Sequence, residues 1–124
     1  MINAVIIEDE RCAQEKLLNL LAEVSAEMNV IGILGSVKES IDYFKTPLPI
    51  DLIFCDVQLQ DGLSFDIFSE THTNIPVIFT TGYDKFILYA FENNGIDYLL
   101  KPINKDDLAN ALLKYKKFIY CIYY

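Results

Sequence analysis

The stretch AVIIEDE, Ala4–Glu10, decides how this chain is read. A purely apolar run breaks straight into three carboxylates. With Asn3 in front, the apolar part is short and β-branched, as a buried strand is. Two like charges about 4 Å apart cost roughly 4 kcal/mol at the dielectric of a protein surface. Glu8, Asp9 and Glu10 can stand together at such a strand end only if something there offsets their repulsion.

Working outward, short apolar runs alternate with helical periodicity. From Arg11 to about Glu27, the residues Ala13, Leu17, Leu20, Leu21 and Val24 recur at helical spacing. Asn29–Leu34 is a second strand, closed by Gly35. SVKES, Ser36–Ser40, has the capping-box spacing and starts a helix to about Phe44. Pro47 and Pro49 punctuate the next loop. DLIFC, Asp51–Cys55, is a third strand and ends on Asp56; a helix from Ser64 to Glu70 follows. Pro76 leads into VIFTT, Val77–Thr81, and Asp84–Asn93 reads as helix, stopped by Asn94 and Gly95. DYLLK, Asp97–Lys101, runs into Pro102. Asn104 caps the last helix, with Leu108, Ala111, Leu112, Tyr115 and Ile119 on one apolar face. The tail FIYCIYY, Phe118–Tyr124, has three readings: a continuation of that helix, an interface, or the point where a longer protein was cut.

Parallel strands need crossovers, which helices supply with a fixed right hand. Strands this apolar belong in a sheet covered on both faces. The expectation is one α/β domain over residues 1–124. It is a doubly wound, flavodoxin-like, five-stranded parallel sheet with five helices and strand order 2-1-3-4-5.

Composition narrows the functions. The 124 residues and 52% hydrophobic content suit one globular core. A net charge of −8 makes direct binding to nucleic acid or an anionic membrane unfavourable. The cationic cluster Lys114, Lys116 and Lys117 reads as complementing a helix dipole. Cys12, Cys55 and Cys121 are odd in number and form no CxxC pair, so reduced cytosolic thiols are expected, Cys55 as a small buried one. Neither a secretory signal nor a bilayer-length apolar run is present, and a cytoplasmic protein is expected. His72, the only histidine, sits in the polar connection ETHTN, which argues against a zinc site or a histidine-dependent hydrolase.

In such a sheet the C-terminal strand ends share one edge, where ligands bind. Those ends supply Glu8 and Asp9, Asp56, Thr81 and Lys101. A divalent cation would make the clustered carboxylates tolerable, and magnesium suits few oxygen ligands with retained waters. An ionised aspartate there is a competent nucleophile toward phosphorus. The Lys101 ammonium and the Thr81 hydroxyl can then meet phosphoryl oxygens. Glu10 reads only as a favourable charge at a helix N-terminus, and Thr80 as an ordinary strand residue.

The order Glu8-Asp9, Asp56, Thr81-Gly82, Tyr98, Lys101-Pro102 resembles the receiver domain of two-component response regulators, over roughly residues 3–119. IIEDE, IFCDVQL, VIFTTGYD and IDYLLKP further resemble receivers that precede LytTR-type DNA-binding domains. The resemblance implies a switch, not an enzyme, with Asp56 accepting a phosphoryl group from a histidine kinase. It implies magnesium held by Glu8, Asp9, Asp56 and the backbone carbonyl of Gln58. It implies Thr81 as the switch hydroxyl, Tyr98 as its aromatic partner, Lys101 on the phosphoryl group, and a cis Lys101–Pro102 bond. It leaves open a homodimer through the fourth helix, fifth strand and fifth helix, and either an output domain beyond the end of this chain, making a transcription regulator, or a stand-alone relay. The segment Tyr83–Phe91, with Phe86, Tyr89 and Phe91, reads as a dimer surface or as core. Gln60 stands where many receivers have proline, Gly62 follows early, and Gly82 stands where alanine is common. Two other functions fit the pattern. An aspartate-nucleophile phosphatase would want an acid where Gln58 stands, and a receiver-shaped interaction module would never use phosphate.

Overall fold

Five parallel strands form one sheet in the computed structural model, which describes residues 1–123. The strands are β1 (Ile2–Ile7), β2 (Met28–Leu34), β3 (Leu52–Asp56), β4 (Val77–Thr81) and β5 (Gly95–Leu100). Their order is β2-β1-β3-β4-β5, as expected from the sequence. The crossovers are α1 (Arg11–Val24), α2 (Val37–Phe44), α3 (Phe65–Thr71) and α4 (Ile87–Glu92), and α5 (Lys105–Tyr123) closes the fold. The tail therefore continues the last helix as far as Tyr123, while Tyr124 lies outside the described residues. Among the described residues no helix is long and apolar enough to cross a membrane.

Strand parity builds two cores. Ala4, Ile6, Leu52, Phe54 and Ile78 pack on Leu17 and Leu21 of α1 and Leu108, Ala111, Leu112 and Tyr115 of α5. The alternate residues Val5, Ile7, Ile53, Cys55, Val77 and Phe79 pack on α2, α3 and Ala90 of α4. With both faces filled, the only free parts of the central strands are their ends.

The helix starts show how local chemistry sets the boundaries. Ser36 Oγ accepts from the Glu39 N–H at 3.0 Å, as the capping box predicts. Glu39 closes the box one residue early, accepting from Gly35 N–H at 2.6 Å. Asn104 Oδ1 caps α5 through Asp107 N–H at 2.8 Å.

Three expectations need correction. The helix read over 84–93 splits into a 3-10 turn, Asp84–Phe86, and α4. Phe86 sits between them at φ −95°, ψ 3°, with its ring buried against Phe65. Gly95 does not merely stop that helix but opens β5, because Asn94, at φ 66°, makes the left-handed turn instead. Lys114 and Lys116 do not serve the helix dipole. They lie more than a turn before the end of α5 and pair with Asp97 (3.3 Å) and Glu27 (3.5 Å). The sequence reading also lacks a small hairpin after β3, in which Gln58–Leu59 pairs antiparallel with Gly62–Leu63.

Candidate functional site

The sheet register delivers the site. Ile7 pairs with Cys55, Asp56 with Thr80, and Thr81 with Leu100. The residues just past or at these positions, Glu8, Asp56, Thr81 and Lys101, therefore emerge side by side. Lys101 is tied in directly, its N–H donating to the Thr81 carbonyl at 2.7 Å. The peptide between Lys101 and Pro102 is cis.

Glu8 and Asp56 are buried acids. One lysine answers both: Lys101 Nζ lies 2.5 Å from Glu8 Oε1 and 3.1 Å from Asp56 Oδ2. The other Glu8 oxygen accepts from Glu10 N–H at 3.2 Å, at the start of α1. Burial pushes the Asp56 carboxyl up to about 6; Lys101 pulls it down and Glu8 pushes it further up. Asp9, more open, is raised by burial and then by its hydrogen bond to Glu8. Burial alone would depress Lys101, but the two carboxylates outweigh it and hold the ammonium above its ordinary value.

One carboxylate oxygen each from Glu8, Asp9 and Asp56 lies within 4.8 Å of the others. The cluster brings three carboxylate donors together, and oxygen donors of this kind suit a hard cation. Asp9 and Asp56 line a cleft of about 320 Å³ with Gln58, Gln60, Thr81 and Lys101.

Thr81 is almost fully buried, and its Oγ1 accepts from Tyr83 N–H at 3.3 Å. The half-buried Tyr98 hydroxyl donates to the Tyr83 carbonyl. Thr81 and Tyr98, paired in the sequence reading, are thus joined through the main chain of Tyr83, which that reading does not single out. Thr80 is a buried strand residue whose carbonyl accepts from Val57 N–H at 3.0 Å. Cys55 is a fully buried thiol, and burial pushes its pKa up. His72 ends α3 in the left-handed conformation, its N–H on the Phe68 carbonyl at 3.1 Å. Cys12 and Cys121 are exposed free thiols.

Asp61 is the residue that motif reading passes over. It stands at the tip of the small hairpin, and its two carboxylate oxygens accept from Val37 N–H (2.9 Å) and Lys38 N–H (3.1 Å) in the first turn of α2. These bonds hold its carboxyl below the usual range. An aspartate beside a glycine in a loop is a weak signal for such a long-range cap.

Known proteins share this fold. The profile of the response regulator receiver domain matches residues 4–113. The chain is 38% identical over 114 residues to an uncharacterized response regulatory protein of Vibrio cholerae, covering 90% of this chain and 47% of that one. It is 34% identical over 120 residues to the sensory transduction protein LytT of Bacillus cereus, covering 94% of this chain and 48% of that one. The chain thus spans about half the length of the curated relatives it matches. The crystal structure of the response regulatory domain of protein mrkE from Klebsiella pneumoniae is similar, with a TM-score of 0.78 and 27% identity over 94% of this chain and 96% of that one. A sheet of this order and a profile match across most of its length place the chain in the response regulator receiver domain family of two-component systems.

Proposed function

We propose that the chain is a phosphorylation-controlled switch in which Asp56 accepts a phosphoryl group from the phosphohistidine of a sensor histidine kinase. An aspartate oxygen forms the new P–O bond as the P–N bond breaks, and the histidine nitrogen leaves with the electron pair. The observation that carries this reading is the convergence of Asp56 with Glu8, Asp9 and Lys101 at one sheet edge. Glu8, Asp9, Asp56 and the main-chain carbonyl of Gln58 would hold magnesium, whose charge offsets that of the phosphoryl oxygens. Lys101, already on Asp56, supplies a second cation to those oxygens. The Thr81 hydroxyl turns toward them and releases Tyr83 N–H, and the change passes to Tyr98.

The readout is the α4–β5–α5 face. Leu88, Tyr89, Phe91, Leu100 and Leu113 stand exposed there and suit a homodimer. Phe86 instead belongs to the core. Similarity to LytT at half its length supports a DNA-binding output domain in the natural protein, with the net charge of −8 keeping this domain itself off DNA. A cytoplasmic location follows from the kinase partnership. Gln58, in place of a second acid, weighs against a phosphatase acting on outside substrates.

Incubation with magnesium and a small phosphodonor such as acetyl phosphate should add one phosphoryl group, read by intact-protein mass spectrometry. Asp56→Asn should abolish it. Equal labelling of that variant would refute the acceptor, and sustained turnover of simple phosphoesters would favour the phosphatase.

A further inference from the structure

We propose that Asp61 is a positioning residue for the metal site: it fastens the hairpin after β3 to the first turn of α2 and so fixes the backbone that faces Asp9 and Asp56. This rests on the phosphorylation reading above.

The hairpin is a fragile object. It has two residue pairs, Gln58 with Leu63 and Leu59 with Gly62, and it joins no strand of the main sheet. A two-stranded hairpin has marginal stability in water, and this one is shorter than most. Its base is closed by Ser64 N–H on the Val57 carbonyl at 2.8 Å, and Leu59 is buried in the core. Its tip, Gln60-Asp61, has no such burial. Yet the chemistry is at that end: Gln58 and Gln60 line the acidic cleft together with Asp9 and Asp56.

The tip is held by Asp61. Two charge-assisted hydrogen bonds run to N–H groups at the positive end of a helix dipole, the favourable orientation for a carboxylate. The other cap contacts of α2 are local. Ser36 bonds Glu39, and Glu39 bonds Gly35, so both persist whatever the hairpin does. Asp61 alone among these acceptors reaches across 23 or 24 residues of sequence. Gly62, at φ +146°, gives the chain the turn that this reach requires.

The roles separate experimentally because α2 carries two kinds of cap. Magnesium chloride is titrated calorimetrically into the wild-type chain, Asp61→Ala, Asp61→Asn and Ser36→Ala. The salt is 1 M potassium chloride, where the Debye length is about 3 Å and mere loss of a distant charge is screened. Asp61→Ala should bind magnesium about tenfold more weakly, the effect expected when support behind a metal ligand is removed. Asp61→Asn keeps one acceptor oxygen and the fold, and should fall between. Ser36→Ala should lower the melting temperature while leaving magnesium affinity unchanged. At saturating magnesium, Asp61→Ala should take up phosphoryl groups at the wild-type rate. Wild-type magnesium affinity in both Asp61 variants overturns the inference, as does equal weakening by Ser36→Ala. A wild-type chain that takes up no phosphoryl group at all removes instead the reading on which the inference rests.

Discussion

Lys101 Nζ lies closer to Glu8 (2.5 Å) than to Asp56 (3.1 Å), so the lysine at the site is first of all the counter-charge of a buried glutamate. Removing one partner of a buried ion pair leaves a stranded charge and costs about 3–5 kcal/mol. Lys101 is 29% exposed, which lowers the figure. Lys101→Met should destabilise the chain by about 2 kcal/mol at neutral pH, measured by urea unfolding in the presence of a chelator. Adding Glu8→Gln to that variant should recover part of the loss, with Asp56 still lacking its lysine. A double variant no better than the single one would show that the pair is not the source of the loss.

Asp56 gives a pH signature in the metal-free protein. Its folded pKa, about 6, lies above its ordinary 3.8, chiefly through burial. The folded state therefore holds this proton more tightly than the unfolded state does. Stability from this group is highest in acid, falls as pH rises from about 4 to about 6, and is level above that. The span corresponds to at most about 3 kcal/mol. Asp56→Asn should be more stable than wild type at pH 7, with the gap closing toward pH 4. Denaturant melts across that range, with chelator present, check it; a less stable variant at pH 7 contradicts the sign.

Thr81 and Tyr98 should be energetically coupled, because their side chains interact and they also share a neighbour. Both bind the peptide units of Tyr83. Thr81→Ala and Tyr98→Phe should each cost about 1 kcal/mol, the usual net worth of a hydrogen bond. The double variant should depart from their sum by about 0.5 kcal/mol or more. Strict additivity in a double-mutant cycle would mean that the two residues are not connected.

Two glycines make opposite predictions. A Cβ on Gly95 would stand 2.3 Å from the Ala90 carbonyl oxygen, which is backbone and cannot step aside. A Cβ on Gly32 would stand 2.8 Å from the Tyr43 hydroxyl, the far end of a side chain. Gly95→Ala should lose about 2 kcal/mol or more, and Gly32→Ala less than about 1 kcal/mol. Thermal melts of the pair decide it.

Much of this was legible in the residue order, for a definite reason. The strands are apolar on both faces and end on polar residues, so run length and end point locate Asp56, Thr81 and Lys101 without any contact information. The parallel sheet with its order 2-1-3-4-5 and the meeting of Glu8, Asp9, Asp56 and Lys101 follow from that pattern. What escaped is what depends on main-chain geometry rather than side-chain type. The link from Thr81 to Tyr98 runs through the peptide units of Tyr83. The break in the fourth helix rests on the dihedrals of Phe86. The two-pair hairpin is too short for period-two alternation to be visible. Asp61 meets its partners 23 and 24 residues away, and no local rule points there.

The close seating of Ala90 on Gly95 has a mechanical meaning. It clamps the C-terminal end of α4 to the start of β5, while the Asp84–Phe86 turn at the other end adjoins Tyr83 beside the acidic cleft. Any displacement of this helix must therefore pivot at the Ala90–Gly95 seat and be greatest at the end beside Tyr83.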